Sequence, residues 1–175
     1  MFLPWQRSSP EKRILGVAIV ALALDQLTKV IVERTLDLNE RKIVFDGFFN
    51  FVHWGNTGSA WSLFHDNNAA LAGVAIVALA ALWWGRGHFE SQRPPGQVAL
   101  GLLFGGITGN LLDRLLPHRR HVVDFFYFHL YPRGGGEAYF PAFNVADVAI
   151  CTGVGLLILF AWHTAPEPTA PADPE

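Results

Sequence analysis

Four stretches of this chain are predominantly apolar and are separated by polar, Pro- and Gly-bearing punctuation: roughly residues 14–32, 69–85, 96–116 and 143–162. Each approaches the ~20 residues that ~30 Å of hydrocarbon requires at ~1.5 Å of rise per residue, so the pattern predicts four membrane-spanning helices. The second is the shortest, but its ends are marked: Asn67 and Asn68 can cap its start, and Gly85-Arg86-Gly87 can end it. Pro94 and Pro95 break the chain ahead of the third. The first stretch resembles a secretory signal, with Arg7, Lys12 and Arg13 before an apolar core. No small-x-small cleavage site follows, however, and the run carries Asp25 and Lys29, so it is read as a retained helix.

Between the first two stretches the pattern changes period. In Lys42 to Trp54, KIVFDGFFNFVHW, β-branched and aromatic residues flank Asp46-Gly47, which predicts a hairpin with a two-residue turn. A small sheet on the membrane surface follows, and the rings of Phe45, Phe48, Phe49, Phe51 and Trp54 suit the interface. Those rings can anchor the sheet or form a cradle that touches substrate; the sequence leaves both open. The fold class expected is an all-α membrane protein of four transmembrane helices with a small β-hairpin or sheet. Residues 1–163 would make one domain, and 164–175, Pro-rich and acidic, a disordered tail.

Composition agrees with a lipid solvent: 51% of the 175 residues are hydrophobic and only 16% are charged. A formal net charge of -2 and the lack of a dense basic run argue against a nucleic-acid partner. The one cysteine, Cys151, rules out an intramolecular disulfide, a thiol redox relay and a Cys-rich metal site. Loop charges divide almost evenly, so the positive-inside rule leaves orientation open.

The ionisable residues inside the spans are the candidates for chemistry. Asp25 and Lys29 lie four apart on one helix, as do Asn110 and Arg114, and Asp113 is one turn from Asn110. Internal ion pairing that fixes helix register explains them without function; a polar pocket that orients another molecule is the alternative. Gly101, Gly105 and Gly109 form a small-residue stripe that lets a neighbouring backbone approach. Asp124 and Asp147 are different, because neither has a basic partner on its own face of its own element. Asp124 sits in VVDFF, and Asp147, about one turn inside the last run, shares a face with Asn144 and Cys151. Two carboxyls sharing one proton would relieve the cost of burying both. Such a pair suits peptide hydrolysis: the ionised member takes a proton from water, and the protonated member polarises the carbonyl and later protonates the leaving amine. Paired aspartates also carry protons in pumps and transporters.

Five stretches then carry a resemblance. DQLTK (25–29), NTGSAWS (56–62), GGITGNLLDR (105–114), VVDFF (122–126) and FNVADVAI (143–150) resemble, in order and spacing, the five sequence blocks of the lipoprotein signal peptidases, or signal peptidase II. The likeness spans most of residues 10–163. It implies an aspartic peptidase of the bacterial inner membrane that removes the signal peptide from diacylglyceryl-modified prolipoproteins, cutting just before the lipidated cysteine. By position it implies a catalytic dyad of Asp124 and Asp147 with Asn144 beside it. Asp25, Lys29, Asn56, Gly58, Asn110, Asp113 and Arg114 would shape the pocket, with Asn56 and Arg114 near the substrate backbone. The termini would be cytoplasmic, and the hairpin and dyad would face the periplasm. The implied partners are the prolipoprotein and membrane lipids, with no cofactor or metal. Departures are Ser59 and Trp61, where the family more often has Ala and Phe, and Val148, where Ser is common. The segment Phe128 to Phe140 is longer and richer in glycine than the family's loop, so Arg133 to Gly136 are expected to form either a mobile flap tip over the dyad or a solvated turn with no role in turnover.

Other chemistries fit less well. A zinc peptidase lacks an H-E-x-x-H, and His118 and His121 in HRRH have no third ligand near in sequence, so HRRH is read as interfacial basic residues. A serine peptidase lacks G-x-S-x-G around Ser59 or Ser62. A proton-coupled carrier built on the same Asp pair remains as the alternative, although no internal repeat is visible.

Overall fold

A computed structural model describes residues 8–58, 67–89, 93–131, 135–136 and 138–164. Ser59, Trp61 and Ser62, residues Arg133 and Gly134 of the expected flap, and the expected tail from residue 165 lie outside the described residues.

Among the described residues four helices are long and apolar enough to cross a membrane. They are α1 (Pro10–Thr35), α2 (Asn68–Gly85), α3 (Pro94–Leu115) and α4 (Val145–Thr164). Helix α1 starts earlier than hydropathy alone suggested. Pro10 opens it with a pre-set φ, and the Ser9 side chain accepts the Lys12 N–H at 3.5 Å. The two prolines ahead of the third span likewise become the first residues of α3 instead of a break before it. Asn67 caps α2, its Oδ1 accepting from the Ala70 N–H at 3.2 Å, and after Gly85 the helix tightens into a 3-10 turn, Arg86–His88.

Helix α3 is the shared partner, packed against α1 and α4 along its length and more sparsely against α2. Its glycines make this possible. A methyl on Gly101 would sit 2.5 Å from the Val17 Cβ, on Gly105 2.6 Å from the Ala18 carbonyl oxygen, and on Gly106 2.6 Å from the Ala146 carbonyl oxygen. The stripe therefore lets α1 approach to backbone contact, and Gly106, outside it, does the same for α4 on another side of α3. Helix α2 buries only Ala72 among its residues, so the rest of the described chain leaves most of its surface uncovered.

The polar side of the bundle carries an antiparallel four-stranded sheet in the order β1-β2-β3-β4, with β1 Arg41–Phe45, β2 Phe49–Asn56, β3 Val122–Leu130 and β4 Ala138–Tyr139. The hairpin expected around Asp46-Gly47 is present as β1–β2, but its connection is three residues long. Gly47 takes the left-handed φ of 71° and the Phe48 N–H returns to the Phe45 carbonyl at 3.1 Å. Strand β3 pairs with β2, Trp54 opposite Asp124 and Asn56 opposite Val122, after an irregularity between Phe51 and Trp54. Hydropathy did not single out β3, because its partner strand lies some seventy residues earlier and its run VVDFFYFHL lacks a clean alternation. Val123 and Phe125 pack with Val32 of α1 and Leu36, which caps its end, joined by Phe51, Phe126 and Val145. That cluster, together with the His53 Nδ1 contact to the Leu36 carbonyl at 2.9 Å, seats the sheet on the end of α1.

Candidate active site

The site forms where β3 crosses the N-terminus of α4. Asn144 immediately precedes α4, and its Oδ1 accepts the Asp147 N–H at 3.0 Å while the Asp147 Oδ2 accepts the Asn144 N–H at 3.1 Å. This is the reciprocal logic of a capping box, with Asn and Asp in place of Ser and Glu. The Asn144 amide also has donors to spare: its Nδ2 donates to the Asp124 Oδ1 at 2.7 Å. One buried side chain thus caps the helix that carries one carboxylate and holds the other.

The remaining oxygens of the two carboxylates are met by amides as well. Asn56 of β2 donates through Nδ2 to the Asp124 Oδ2 at 2.9 Å. Asn110 of α3 donates through Nδ2 to the Asp147 Oδ1 at 2.8 Å. Asp124 is only 4% exposed, and burial lifts its carboxyl from 3.8 to about 7. The neighbouring Asp147 charge pushes the same way, against the pull of Asn56, Asn144 and Lys29. The edge of the site is set by Gly58, whose N–H donates to the Asn56 Oδ1 at 2.9 Å and whose carbonyl accepts Arg114 Nη2 at 3.1 Å. Arg114 also donates through Nη1 to the Asn110 carbonyl at 3.1 Å.

Below these amides lies a buried ionic layer. Lys29 Nζ reaches the Asp25 Oδ2 at 2.9 Å, the Asp113 Oδ2 at 2.6 Å and the Asn110 Oδ1 at 2.9 Å, and all three ionic side chains are fully buried. The ion pairing expected of Asp25, Lys29 and Asp113 is therefore present, with Asp113 as its cross-helix member, whereas Arg114, expected in the same pairing, donates to the Asn110 and Gly58 carbonyls instead. The Asp25 Oδ1 accepts the Ala146 N–H at 2.9 Å, so a carboxylate on α1 satisfies an orphan donor in the first turn of α4. Pairing and orienting coexist in the same residues.

All ten residues singled out in the sequence fall in this region. Asn56 and Asn144 bond Asp124, and Asn110 and Asn144 bond Asp147; Asp25, Lys29 and Asp113 lie beneath; Gly58 and Arg114 bond each other beside Asn56 and Asn110. HRRH is not a uniformly interfacial basic patch: His118 and Arg120 are exposed, but Arg119 is buried and ion-paired with Asp113 and Glu33. Sequence reasoning also missed Gln26, whose Nε2 bonds Asp25, Asp113 and the Gly109 carbonyl, and Glu33. Glu33 had a signal, because Asp25, Lys29 and Glu33 recur at spacing four on one stripe of α1. Among the described residues no three His, Cys, Asp or Glu side chains converge as a metal-ligand set.

Residues 17–163 match the family model described as Signal peptidase (SPase) II. The lipoprotein signal peptidase of Symbiobacterium thermophilum is 38% identical over 143 residues, 82% of this chain and 90% of that protein. That of Geobacter sulfurreducens is 38% identical over 154 residues, 85% of this chain and 91% of its own. A bacterial membrane enzyme solved by the in meso method is similar in fold, with a TM-score of 0.74 and 28% identity over 91% of this chain and 94% of that one.

Proposed function

The chain belongs to the signal peptidase II family, a family of bacterial membrane-bound proteases, and on that premise we propose that it is an aspartic endopeptidase that removes signal peptides from lipid-modified prolipoproteins. Asp124 and Asp147 are its catalytic dyad, and the cut falls just before the diacylglyceryl cysteine. The single observation that supports the dyad best is Asn144, which bonds both carboxylates and so fixes them as one unit.

Near neutral pH the pair shares a proton, with Asp124 its carrier, as the lift of that carboxyl to about 7 suggests. Asp147 takes a proton from a water molecule, whose oxygen bonds to the scissile carbonyl carbon, while the Asp124 proton meets the developing oxyanion. When the C–N bond breaks, the Asp124 proton passes to the amine nitrogen. The dyad ends with its proton on Asp147, and exchange with solvent restores the resting state. Asn56, Asn110 and Asn144 hold the two carboxyls in place throughout, and Arg114 with Gly58 borders the substrate backbone. In the proposed topology the protein lies in the bacterial inner membrane with its termini in the cytoplasm and the sheet and dyad toward the periplasm. The acyl chains of the substrate rest in lipid or on apolar helix faces, either of which spares them the cost of about 0.8 kcal/mol per CH₂ exposed to water.

The test is cleavage of a diacylglyceryl-modified prolipoprotein by purified wild type, Asp124→Asn and Asp147→Asn, each shown to be folded. Wild-type cleavage before the lipidated cysteine with both variants silent supports the reading. Equal activity in all three removes the dyad, and a folded wild type that cuts nothing removes the peptidase.

A further inference from the structure

Arg119 lies in the turn between α3 and β3, outside every element of the dyad, yet it is only 6% exposed. Its guanidinium is fully engaged. Nε and Nη2 fork onto Glu33 at 2.7 and 2.5 Å, and Nη1 donates to the Asp113 Oδ1 at 2.6 Å and to the Gln26 Oε1 at 3.1 Å. Only an arginine can meet a bidentate carboxylate and a second carboxylate at once. The next residue, Arg120, has a φ of 53°, a left-handed conformation that a non-glycine residue holds only where its surroundings fix the turn.

What Arg119 grips matters more than its burial. The Asp113 carboxylate is divided in two: Oδ1 takes Arg119 and Gln26, and Oδ2 takes Lys29 and, at 3.5 Å, the N–H of Val123, the residue before Asp124. Lys29 in turn holds Asn110, which donates to Asp147. Two short paths therefore run from Arg119 to the dyad, one through Asp113 and the β3 backbone to Asp124, the other through Asp113, Lys29 and Asn110 to Asp147.

We infer that Arg119 is a positioning residue for the proposed dyad, clasping α1 to the α3–β3 turn so that Asp113 presents β3 and Lys29 in the geometry the two aspartates need. The inference rests on the peptidase reading above. Arg119 also has an electrostatic share. The layer beneath the dyad holds three carboxylates, Asp25, Asp113 and Glu33, against two cations, Lys29 and Arg119. The other charges facing the dyad are Arg114 from α3 and each aspartate toward the other. Loss of Arg119 leaves three carboxylates against one cation beneath a site that must ionise once to act as a base.

The experiment measures kcat, KM and the pH profile of kcat/KM on a diacylglyceryl-modified prolipoprotein for wild type, Arg119→Gln, Arg119→Lys and Asp124→Asn, with thermal unfolding of each. Arg119→Gln is expected to lose about a hundredfold in kcat, the scale of an ångström-sized misplacement, with KM within about twofold and the acid limb moved to higher pH. Arg119→Lys keeps the charge and loses the fork, so its kcat falls while its acid limb stays at the wild-type position. Wild-type kcat in folded Arg119→Gln, or activity lost only in step with the folded fraction and with an unmoved acid limb, overturns the inference. Should Arg119→Gln not fold, wild-type kcat in folded Arg119→Lys overturns it instead. A wild type that does not cut, or an Asp124→Asn that cuts equally well, brings down the peptidase reading and not this inference alone.

Discussion

Asp124 imposes a pH-dependent cost on the folded state, and removing its charge isolates that cost. Burial and the Asp147 charge lift its carboxyl from 3.8 to about 7, so the folded chain holds this proton about a thousandfold more tightly than the unfolded chain does. Below about pH 4 both states are protonated and Asp124 contributes nothing. As the pH rises from there to about 7 the unfolded chain gives up a proton that the folded chain retains, so stability falls across that window; above it the full loss is in place. At about 1.4 kcal/mol per pH unit, the loss amounts to at most about 4 kcal/mol. Asp124→Asn cannot ionise. Its new amide faces the Nδ2 donors of Asn56 and Asn144, which adds a mismatch that does not vary with pH. The gap in stability, variant minus wild type, should therefore widen in favour of the variant between pH 4 and pH 8, by as much as roughly 10 °C in Tm for a chain of this size. Thermal unfolding of both proteins in the same detergent, followed by tryptophan fluorescence at intervals across that range, reads it out. A gap that stays constant with pH would refute the reasoning, because it would mean that the buried carboxyl is not where the proton is held.

Two further outcomes test the bundle. Gly109→Ala places a methyl 2.5 Å from the Asp25 Oδ2, an oxygen already held by Lys29 and Gln26, and should cost about 1–3 kcal/mol; Gly73→Ala meets nothing within 4 Å and should be neutral or gain up to about 1 kcal/mol. Equal unfolding temperatures for the two variants would contradict the close-approach role of Gly109. Lys29→Met leaves Asp25 and Asp113 buried without their shared cation and should destabilise by about 3–5 kcal/mol, read by denaturant or thermal unfolding; a variant as stable as wild type would show that the three charges are not mutually dependent.

The helices were legible because lipid imposes a long apolar run that needs no knowledge of neighbours, and their starts were legible where a side chain caps locally, as Asn67 does. The pair Asp25–Lys29 was legible for the same reason, since four residues on one helix fix a face. What could not be read was whatever depends on elements meeting. Nothing local in VVDFFYFHL says that it pairs with β2, and nothing in GNLLDR says that Asp113 crosses to Lys29 while Asn110 turns to Asp147. Arg119 was misjudged because its neighbours His118 and Arg120 are exposed and only the fold of the turn buries it alone. The candidate dyad was reachable from sequence chiefly through resemblance; its amide surroundings became visible only once three separate elements were in place.

The pairing within α1 also bears on how the chain enters the bilayer. A polypeptide made from its N-terminus delivers α1 to lipid before α3 exists, and a lone Asp or Lys at mid-helix costs about 3 kcal/mol to insert. Asp25 and Lys29, one turn apart and 2.9 Å between charged atoms, present themselves as a neutral unit that the insertion machinery can release sideways on its own. Asp113 arrives two spans later and has no such companion on its own helix face. Its cation is already waiting in the membrane, so the order of synthesis and the order of charge neutralisation coincide, and a chain whose segments were permuted would have to insert α3 with its carboxylate unmatched.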